Sequence, residues 1–314
     1  MAHDHTNAHS HHRHDADSTG VRGAFFLNAA FTIIELVGGL LTNSVAVLSD
    51  AVHDLGDTAA LGLAWYFQHL GRQGATPRFT YGFRRFNTLG ALITSAILIV
   101  GSVVIVIRAI PRLIHPEPVA VTGVIGLAIL GVIVNGAAVW RLRRAGTNSL
   151  NEESVSLHLL EDVFGWVAVL IGAGIMYFVP SATWIDPLLS LGIATWVLLH
   201  AVGTLRRALL IMLQAKPEDV DTSLLEIEAN KLAGAGKAQH LHVWTLDGEY
   251  HLASIDVVVD PEATAGDLST LRERIRGAFA KLGVEHVTVE FVTTASKECK
   301  DGAISKQPRA GHSH

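Results

Sequence analysis

The chain has 314 residues, of which 49% are hydrophobic and only 17% are charged, and its mean hydropathy is +0.36. This composition is too apolar for an ordinary soluble domain and predicts a membrane protein. A net charge of −5, with no broad basic face, gives no reason to expect a nucleic-acid partner. The single cysteine, Cys299, excludes an internal disulfide and a cysteine-rich metal cluster.

Residues 1–20 are polar and contain six of the seventeen histidines. With almost nothing apolar to bury, this segment is predicted to be a disordered tail. Neutral imidazoles suit late transition metals, so the tail either collects metal ions or only solubilises the chain. Its histidines are His3, His5, His9, His11, His12 and His14.

Six apolar segments follow, each near the ~20 residues that a helix needs to cross a bilayer. They cover residues 22–42, 44–69, 87–110, 119–140, 155–179 and 184–209. We therefore expect a six-helix transmembrane domain over residues 21–213. Basic residues gather after the second, fourth and sixth segments, and by the positive-inside rule this predicts that both termini are cytoplasmic.

The pattern changes after Lys216-Pro217 to the charge mixture of a soluble domain. Amphipathic helices are predicted at 221–232 and 264–282, and strands at 238–246, 250–259 and 284–292. Two helices on a three-stranded sheet make a small cytoplasmic α+β domain over residues 214–296. A domain of this size gains from association with a second copy, so we expect a homodimer. Residues 297–314 are predicted to be a disordered tail.

Two copies of a His-x-x-x-Asp spacing lie inside apolar segments, at the second position of each half of the membrane domain. His53 with Asp57, and His158 with Asp162, are each four residues apart, so each pair shares a helix face about 6 Å apart along the axis. One pair alone could be a helix–helix contact. Two pairs inside the hydrocarbon core predict a shared metal site, because burying four ionisable groups there is costly unless they act together, for example by binding one ion.

The four predicted ligands supply two imidazole nitrogens and two carboxylate oxygens, a donor set that suits tetrahedral Zn²⁺. Cadmium and cobalt remain alternatives. Metal binding needs deprotonated ligands, so protons compete for the same atoms, and histidine titrates nearest to neutral pH. If the site opens alternately to each side, a proton gradient can drive metal outward. The sequence thus predicts metal–proton antiport, with protons as counter-ions.

Four further acids lie in the apolar segments. Asp50 and Asp54 either tune the ligands from behind or stand in water at the entrance. Glu35 and Asp186 are candidates for the same supporting or entrance roles, because acids in a membrane normally face a cavity or a partner. For Glu35 the alternative is a hydrogen bond to a neighbouring helix.

The chain resembles the cation diffusion facilitator family over residues 22–294. The resemblance is carried, in order, by TIIELVGGLLTNSVAVLSDAVHDLGD, YGFRRFNTLGAL, SLNEESVSLHLLEDVFGWVAVL, WIDPLLSLGIATWVLL and LHVWTLDGEYH. It implies a homodimeric exporter of divalent cations in a bacterial inner membrane, with a ferredoxin-like, metallochaperone-like C-terminal domain. Carried over by motif, the transport-site ligands fall on His53, Asp57, His158 and Asp162, and members with histidine in both half-sites are similar to zinc transporters.

The first cytoplasmic strand departs from the family pattern, because Gln239 stands where many members have a histidine. A cytoplasmic metal site in the usual form is therefore not expected. It could be rebuilt from His240, His242, His251, Asp256 and Glu290, although alternate strand residues face opposite ways and cannot all join. The alternative is that these are ordinary exposed residues of the sheet.

Other functional classes compete with the exporter. An intramembrane metallohydrolase would need a motif such as His-Glu-x-x-His, which does not occur in the chain. A cation channel is disfavoured because tight four-ligand binding makes exit slow. A membrane-anchored metal sensor remains, but a sensor needs no ligands buried in hydrocarbon. We therefore predict a secondary active transporter in the lipid bilayer, not an enzyme, that exports zinc or a broader Zn/Cd/Co range.

Overall fold

The computed structural model describes residues 13–71, 75–145, 150–234 and 237–293. Six long helices come first and a small mixed domain follows. The helices are α1 (Arg13–Thr42), α2 (Val45–Gly71), α3 (Arg85–Ile114), α4 (Val121–Ala145), α5 (Leu150–Phe178) and α6 (Ile185–Met212). The mixed domain contains α7 (Thr222–Ala233), β1 (Ala238–Thr245), β2 (His251–Val259), α8 (Ala265–Lys281) and β3 (His286–Thr293).

Each of the six predicted apolar segments forms a helix. The main difference is at the start, where α1 begins at Arg13, inside the stretch expected to be a disordered tail. Among the described residues, five helices are long and apolar enough to cross a membrane: α1, α3, α4, α5 and α6. The exception is α2, whose 27 residues include Asp50, Asp54 and Asp57. The chain is therefore a multi-pass membrane protein.

The outer surface of the helical domain is apolar, as lipid contact requires. Large side chains with exposures between 64% and 82% include Leu40, Leu41, Val100, Ile107 and Phe178. A soluble protein rarely exposes apolar surface on this scale, whereas a bilayer makes such exposure favourable. The polar side chains of these helices can then gather inside the bundle.

Small residues let the helices approach closely inside the bundle. On α4, a Cβ atom added at Gly131 would lie 2.3 Å from the Trp166 ring of α5. Trp166 is almost completely buried, and its ring packs edge-on against Phe31 of α1. Only glycine fits at this contact, because close-packed interiors have no room for an extra methyl group.

The C-terminal domain has the predicted two helices and three-stranded sheet. The strand order is β1-β2-β3. Strand β1 pairs antiparallel with β2, and β2 pairs parallel with β3. Its core is formed by side chains from both helices and all three strands, including Leu225, Ile255, Ile275, Phe279 and Val289. Predicted and observed element ends agree within a few residues. The chain separates into two compact units at Ala208/Leu209, inside the last turns of α6.

We expect Gly131→Ala to destabilise the helical domain and Gly136→Ala on the same helix to leave it unharmed. The first methyl group collides with Trp166, whereas a Cβ atom at Gly136 meets nothing within 4 Å. Overpacking of this kind costs about 1–3 kcal/mol, so the thermal midpoint should fall by about 2–10 °C. Thermal unfolding of the purified protein in detergent measures this, and equal midpoints for the two variants would contradict the close contact.

Candidate metal centre

Three potential metal ligands from two helices meet inside the bundle. His53 and Asp54 lie on α2 and Asp162 lies on α5, and one ligand atom of each comes within 4.8 Å of the other two. Asp54 is buried and the other two are mostly buried. Within the described part of the chain, these three residues are the cluster of histidine and acidic side chains that could hold a metal ion.

The distances around the His53 ring match the size of a metal ion. Its Nε2 atom lies 3.6 Å from Asp162 Oδ1 and 3.7 Å from Asp57 Oδ2. Ligand atoms about 2.1 Å from a tetrahedral Zn²⁺ are separated by about 3.4 Å. A small shift of these side chains would therefore close them on one ion. The pairing of His53 with Asp57 follows from the four-residue spacing, but the approach of Asp162 depends on how α5 packs against α2.

The neighbouring helices constrain α2 at the level of the site. Asn28 of α1 donates from its amide to the Asp54 backbone carbonyl at 3.2 Å and to the Thr58 hydroxyl at 3.0 Å. The Trp196 ring of α6 stands edge-on to the His53 ring, with 5.7 Å between the centroids. The imidazole is therefore held between its carboxylate neighbours and an aromatic wall.

Two further carboxylates are buried close to the three ligands. Glu35 of α1 is completely buried beside Asp54, and Asp50 is near enough to repel it electrostatically. Gly165 of α5 lies next to Asp50, because a Cβ atom there would make an ordinary contact with Asp50 Oδ1 at 3.8 Å. Negative charges gathered in a low-dielectric volume repel one another, so this region favours binding of cations.

The side chain of the fourth predicted ligand, His158, lies outside the described part of the structure. Its backbone belongs to α5, one helical turn before Asp162. The predicted metal-collecting histidines His3, His5, His9, His11 and His12 also lie outside the described residues, as does the side chain of His14.

Asp186 lies at the start of α2, away from the candidate metal ligands. Its carboxylate accepts hydrogen bonds from the Ser44 hydroxyl and from the backbone N–H groups of Val45 and Ala46, at the start of α2. It therefore lies about nine residues, or roughly 13 Å, from His53 along that helix. Asp186 therefore makes no hydrogen bond to the described side chains of the candidate ligands, and its role at the entrance stays a prediction. Its donors belong to a helix terminus.

The candidate cytoplasmic ligands divide into two groups. His240 Nδ1 lies 2.9 Å from Asp256 Oδ2, and both line a cavity of about 400 Å³ together with His242 and Glu290. His242 pairs with Ser254, two residues before Asp256, and Asp256 pairs with Glu290, so strand alternation places these side chains on one face of the sheet.

His251 does not belong to the cavity. Its ring is buried, and Nε2 lies 3.1 Å from Asp219 Oδ2. This contact lowers the pKa of the Asp219 carboxyl below its usual value, because the hydrogen bond favours the ionised form. Of the five residues considered for a cytoplasmic site, His251 therefore stands apart from His240 and Asp256.

A family model described as the cation efflux transmembrane domain matches residues 21–213, which is more than half of the chain. The chain belongs to the cation efflux, or cation diffusion facilitator, family. This is a family of membrane transporters, and the matched residues include every candidate ligand on α2 and α5. The resemblance inferred from the sequence motifs is thereby confirmed.

Curated relatives of the cation efflux family are similar over almost their full length. A "Cadmium, cobalt and zinc/H(+)-K(+) antiporter" of Bacillus subtilis is 31% identical over 95% of this chain and 96% of its own. The "Metal cation efflux system protein CzcD" of Cupriavidus metallidurans is 33% identical over 90% of this chain and 89% of its own. The "Zinc transporter ZitB" of Escherichia coli is 30% identical over 100% of this chain and 99% of its own.

Two residues at the metal centre have contacts that the sequence did not predict: Asp54, which was expected behind the ligands or at the entrance, and Trp196. Asp54 follows His53 directly, and residues 100° apart on a helix do not share a face, so periodicity argues against both as ligands. A ligand atom of each nevertheless lies within 4.8 Å of one from Asp162 of α5. Trp196 carries no sequence signal, since an aromatic residue in an apolar helix is usually packing.

Asp162→Asn should weaken zinc binding to the purified protein by about tenfold to a hundredfold, because it removes a charged donor next to His53. Glu161→Gln is the matched control, since Glu161 precedes Asp162 on α5 and is exposed. Isothermal titration calorimetry with zinc measures both. Equal losses of affinity would show that charge alone, and not the position of Asp162, determines binding.

Proposed function

We propose that the chain exports divalent metal cations, zinc first among them, from the cytoplasm in exchange for protons. The observation that supports this most directly is the approach of Asp162 and Asp57 to His53 Nε2, at 3.6 and 3.7 Å. These side chains come from two helices of an apolar bundle. A site inside the bundle suits transport, because an ion bound there can be released to either side when the helices move.

The donor set favours zinc over harder cations. His53 supplies an imidazole nitrogen and its neighbours supply carboxylate oxygens, and with His158 the proposed set is two histidines and two aspartates. Magnesium and calcium favour all-oxygen sites, and copper(I) favours sulfur. The Escherichia coli relative is described as a zinc transporter and the Bacillus subtilis relative as an antiporter of cadmium, cobalt and zinc, so a range of these three ions is the alternative.

Protons are the proposed counter-ions because they compete with the metal for the same atoms. Metal binding requires a neutral imidazole and ionised carboxylates, so each metal that binds displaces protons and each proton that binds weakens the metal. The carboxylates of Glu35, Asp50 and Asp54 add negative charge around the ligands. In a site that opens alternately to the two sides, this competition couples the movements of metal and protons in opposite directions.

The proposed arrangement places all six long helices across a bacterial inner membrane, with both termini in the cytoplasm. α2 is the sixth span despite its acids, since its 27 residues give a length of about 40 Å. The acids face neighbouring helices, as intramembrane charges must. Two copies of the chain are proposed to associate as a homodimer.

In proteoliposomes with an imposed pH gradient, Asp57→Ala should reduce zinc flux by about a hundredfold or more, because the site loses a carboxylate ligand. Glu161→Gln should transport at the wild-type rate, since this side chain is exposed on α5. A zinc-sensitive dye inside the vesicles measures the flux. Undiminished gradient-driven flux in Asp57→Ala would contradict the assignment of Asp57 as a metal ligand.

A membrane-anchored metal sensor is the rival function. It would bind zinc at the same residues but would move none, so the flux of the wild-type protein decides between them. The sensor is less well supported because nothing in its mechanism requires buried ligands on α2 and α5.

We also propose a second metal site in the cytoplasmic domain, built on His240 and Asp256. Their side chains are already 2.9 Å apart and share a cavity with His242 and Glu290. An imidazole, two carboxylates and a second histidine form another donor set suited to zinc. Such a site would respond to the cytoplasmic zinc concentration.

Asp256→Asn should abolish the cytoplasmic site while leaving the membrane site intact. The number of zinc ions bound per chain, measured by titration calorimetry, should fall by about one relative to the wild type, because a charged ligand is lost. Asp219→Asn is the control, since Asp219 pairs with His251 outside the cavity. An unchanged stoichiometry in Asp256→Asn would contradict the second site.

A further inference from the structure

Asp186 anchors the start of α2 to α6. It lies in the first turn of α6 and is 1% exposed. One carboxylate oxygen accepts hydrogen bonds from the Ser44 hydroxyl and from the Ala46 N–H group at 3.4 Å, and the other accepts from the Val45 N–H group at 2.8 Å. The Ser44 oxygen in turn accepts from the Val47 N–H group at 3.2 Å.

The first turn of a helix leaves N–H groups without partners inside the helix, and a side chain next to that turn usually accepts from them. Here the acceptor comes from a different helix. The negative charge also suits the positive end of the helix dipole, which strengthens the hydrogen bonds. The position of α2 therefore depends directly on α6 at this end of the bundle.

The contact between α2 and α6 continues below Asp186. The Ser49 hydroxyl donates to the Ser190 backbone carbonyl at 3.4 Å, and both serines are buried. Val45 of α2 packs in the same region with Ala194 of α6 and with Ile105 of α3. Buried residues of three helices thus close the bundle at the end where α2 and α6 begin.

A second polar contact joins the helices at the same end. The Arg112 guanidinium of α3 donates to the Asn43 backbone carbonyl at 2.9 Å and to its side-chain oxygen at 2.5 Å. It also pairs with Glu117 at 2.7 Å, and it attracts the Asp186 carboxylate electrostatically. Asn43 forms the turn between α1 and α2, so this contact ties that turn to α3.

We propose that Asp186 is a positioning residue for transport, whose hydrogen bonds to the first turn of α2 hold this end of the bundle closed. On the proposed topology this is the external end. Because α2 carries His53 and Asp57, separating its start from α6 opens a path from the metal centre to the outside. This inference rests on the proposed transport function, and its first test does not require transport.

The first test uses the reactivity of a cysteine placed in the closed contact. Replacing the single native cysteine in Cys299→Ser gives a background without thiols. Ser190→Cys then reports on the contact between α2 and α6, and Ser102→Cys reports on a serine of α3 that is equally buried. Each purified protein is treated with a water-soluble maleimide, and the labelling rate is measured by mass spectrometry.

Asp186→Asn should raise the labelling rate of Ser190→Cys by about tenfold or more and leave Ser102→Cys within about twofold, because only the charge-assisted contact is lost. Ser44→Ala should give a smaller rise at the same cysteine. This second variant keeps the backbone contacts of Asp186 and guards against failure of the first to fold. Unchanged labelling of Ser190→Cys, or an equal rise at both cysteines, would overturn the proposal.

The second test connects the contact to transport. Asp186→Asn should reduce zinc accumulation driven by a pH gradient by about tenfold, since a bundle that does not close dissipates the gradient. The zinc affinity of the purified variant should stay within about threefold, because no ligand changes. A parallel loss of affinity, or undiminished accumulation, would contradict the positioning role. A labelling difference together with no zinc flux in the wild type would support the contact and contradict the transport function.

Discussion

An ionised carboxylate among apolar helices is stable only where donors, protons or a cation balance its charge. The helical domain solves this problem in two ways. Asp186 is balanced by a hydroxyl and two backbone N–H groups at the start of α2. Glu35 is equally buried, and its neighbour is another acid, Asp54, which offers it no positive charge. The first arrangement holds helices together, and the second needs a mobile positive charge.

Helix α2 contains both kinds of region: one end that is held in place by its neighbours and a middle that carries the candidate metal ligands. The beginning of α2 is held by α6 and by the contact between Arg112 and Asn43, whereas its middle faces Asp162 of α5 and Asn28 of α1. In the middle region, His53 stands against Trp196 of α6, the same helix that supplies Asp186. A displacement of α6 would therefore reach the metal centre by two routes: the start of α2 and the wall behind the imidazole.

The features that could be predicted from the sequence depend on local patterns. Runs of apolar residues predicted the six helices, and alternation and amphipathic spacing predicted the elements of the cytoplasmic domain. The four-residue spacing brought His53 and Asp57 together. What was missed depends on how helices and strands pack. The approach of Asp54 to Asp162 requires the orientation of α5, and the role of Asp186 requires donors 140 residues away. The grouping of His240 with Asp256 depends on the pairing of β1 with β2, a register that the residues of β1 alone do not specify.

The acids of α2 also bear on how the chain enters the membrane. A helix with three aspartates inside an apolar run inserts poorly by itself, since each costs about 2.5–3.5 kcal/mol near the bilayer centre. The turn at Asn43 is too short to let α1 and α2 insert far apart, and Asn28 and Glu35 of α1 face the polar side of α2. The two helices must therefore be delivered to the bilayer as a preformed hairpin, with α1 shielding the acids until α5 has been synthesised.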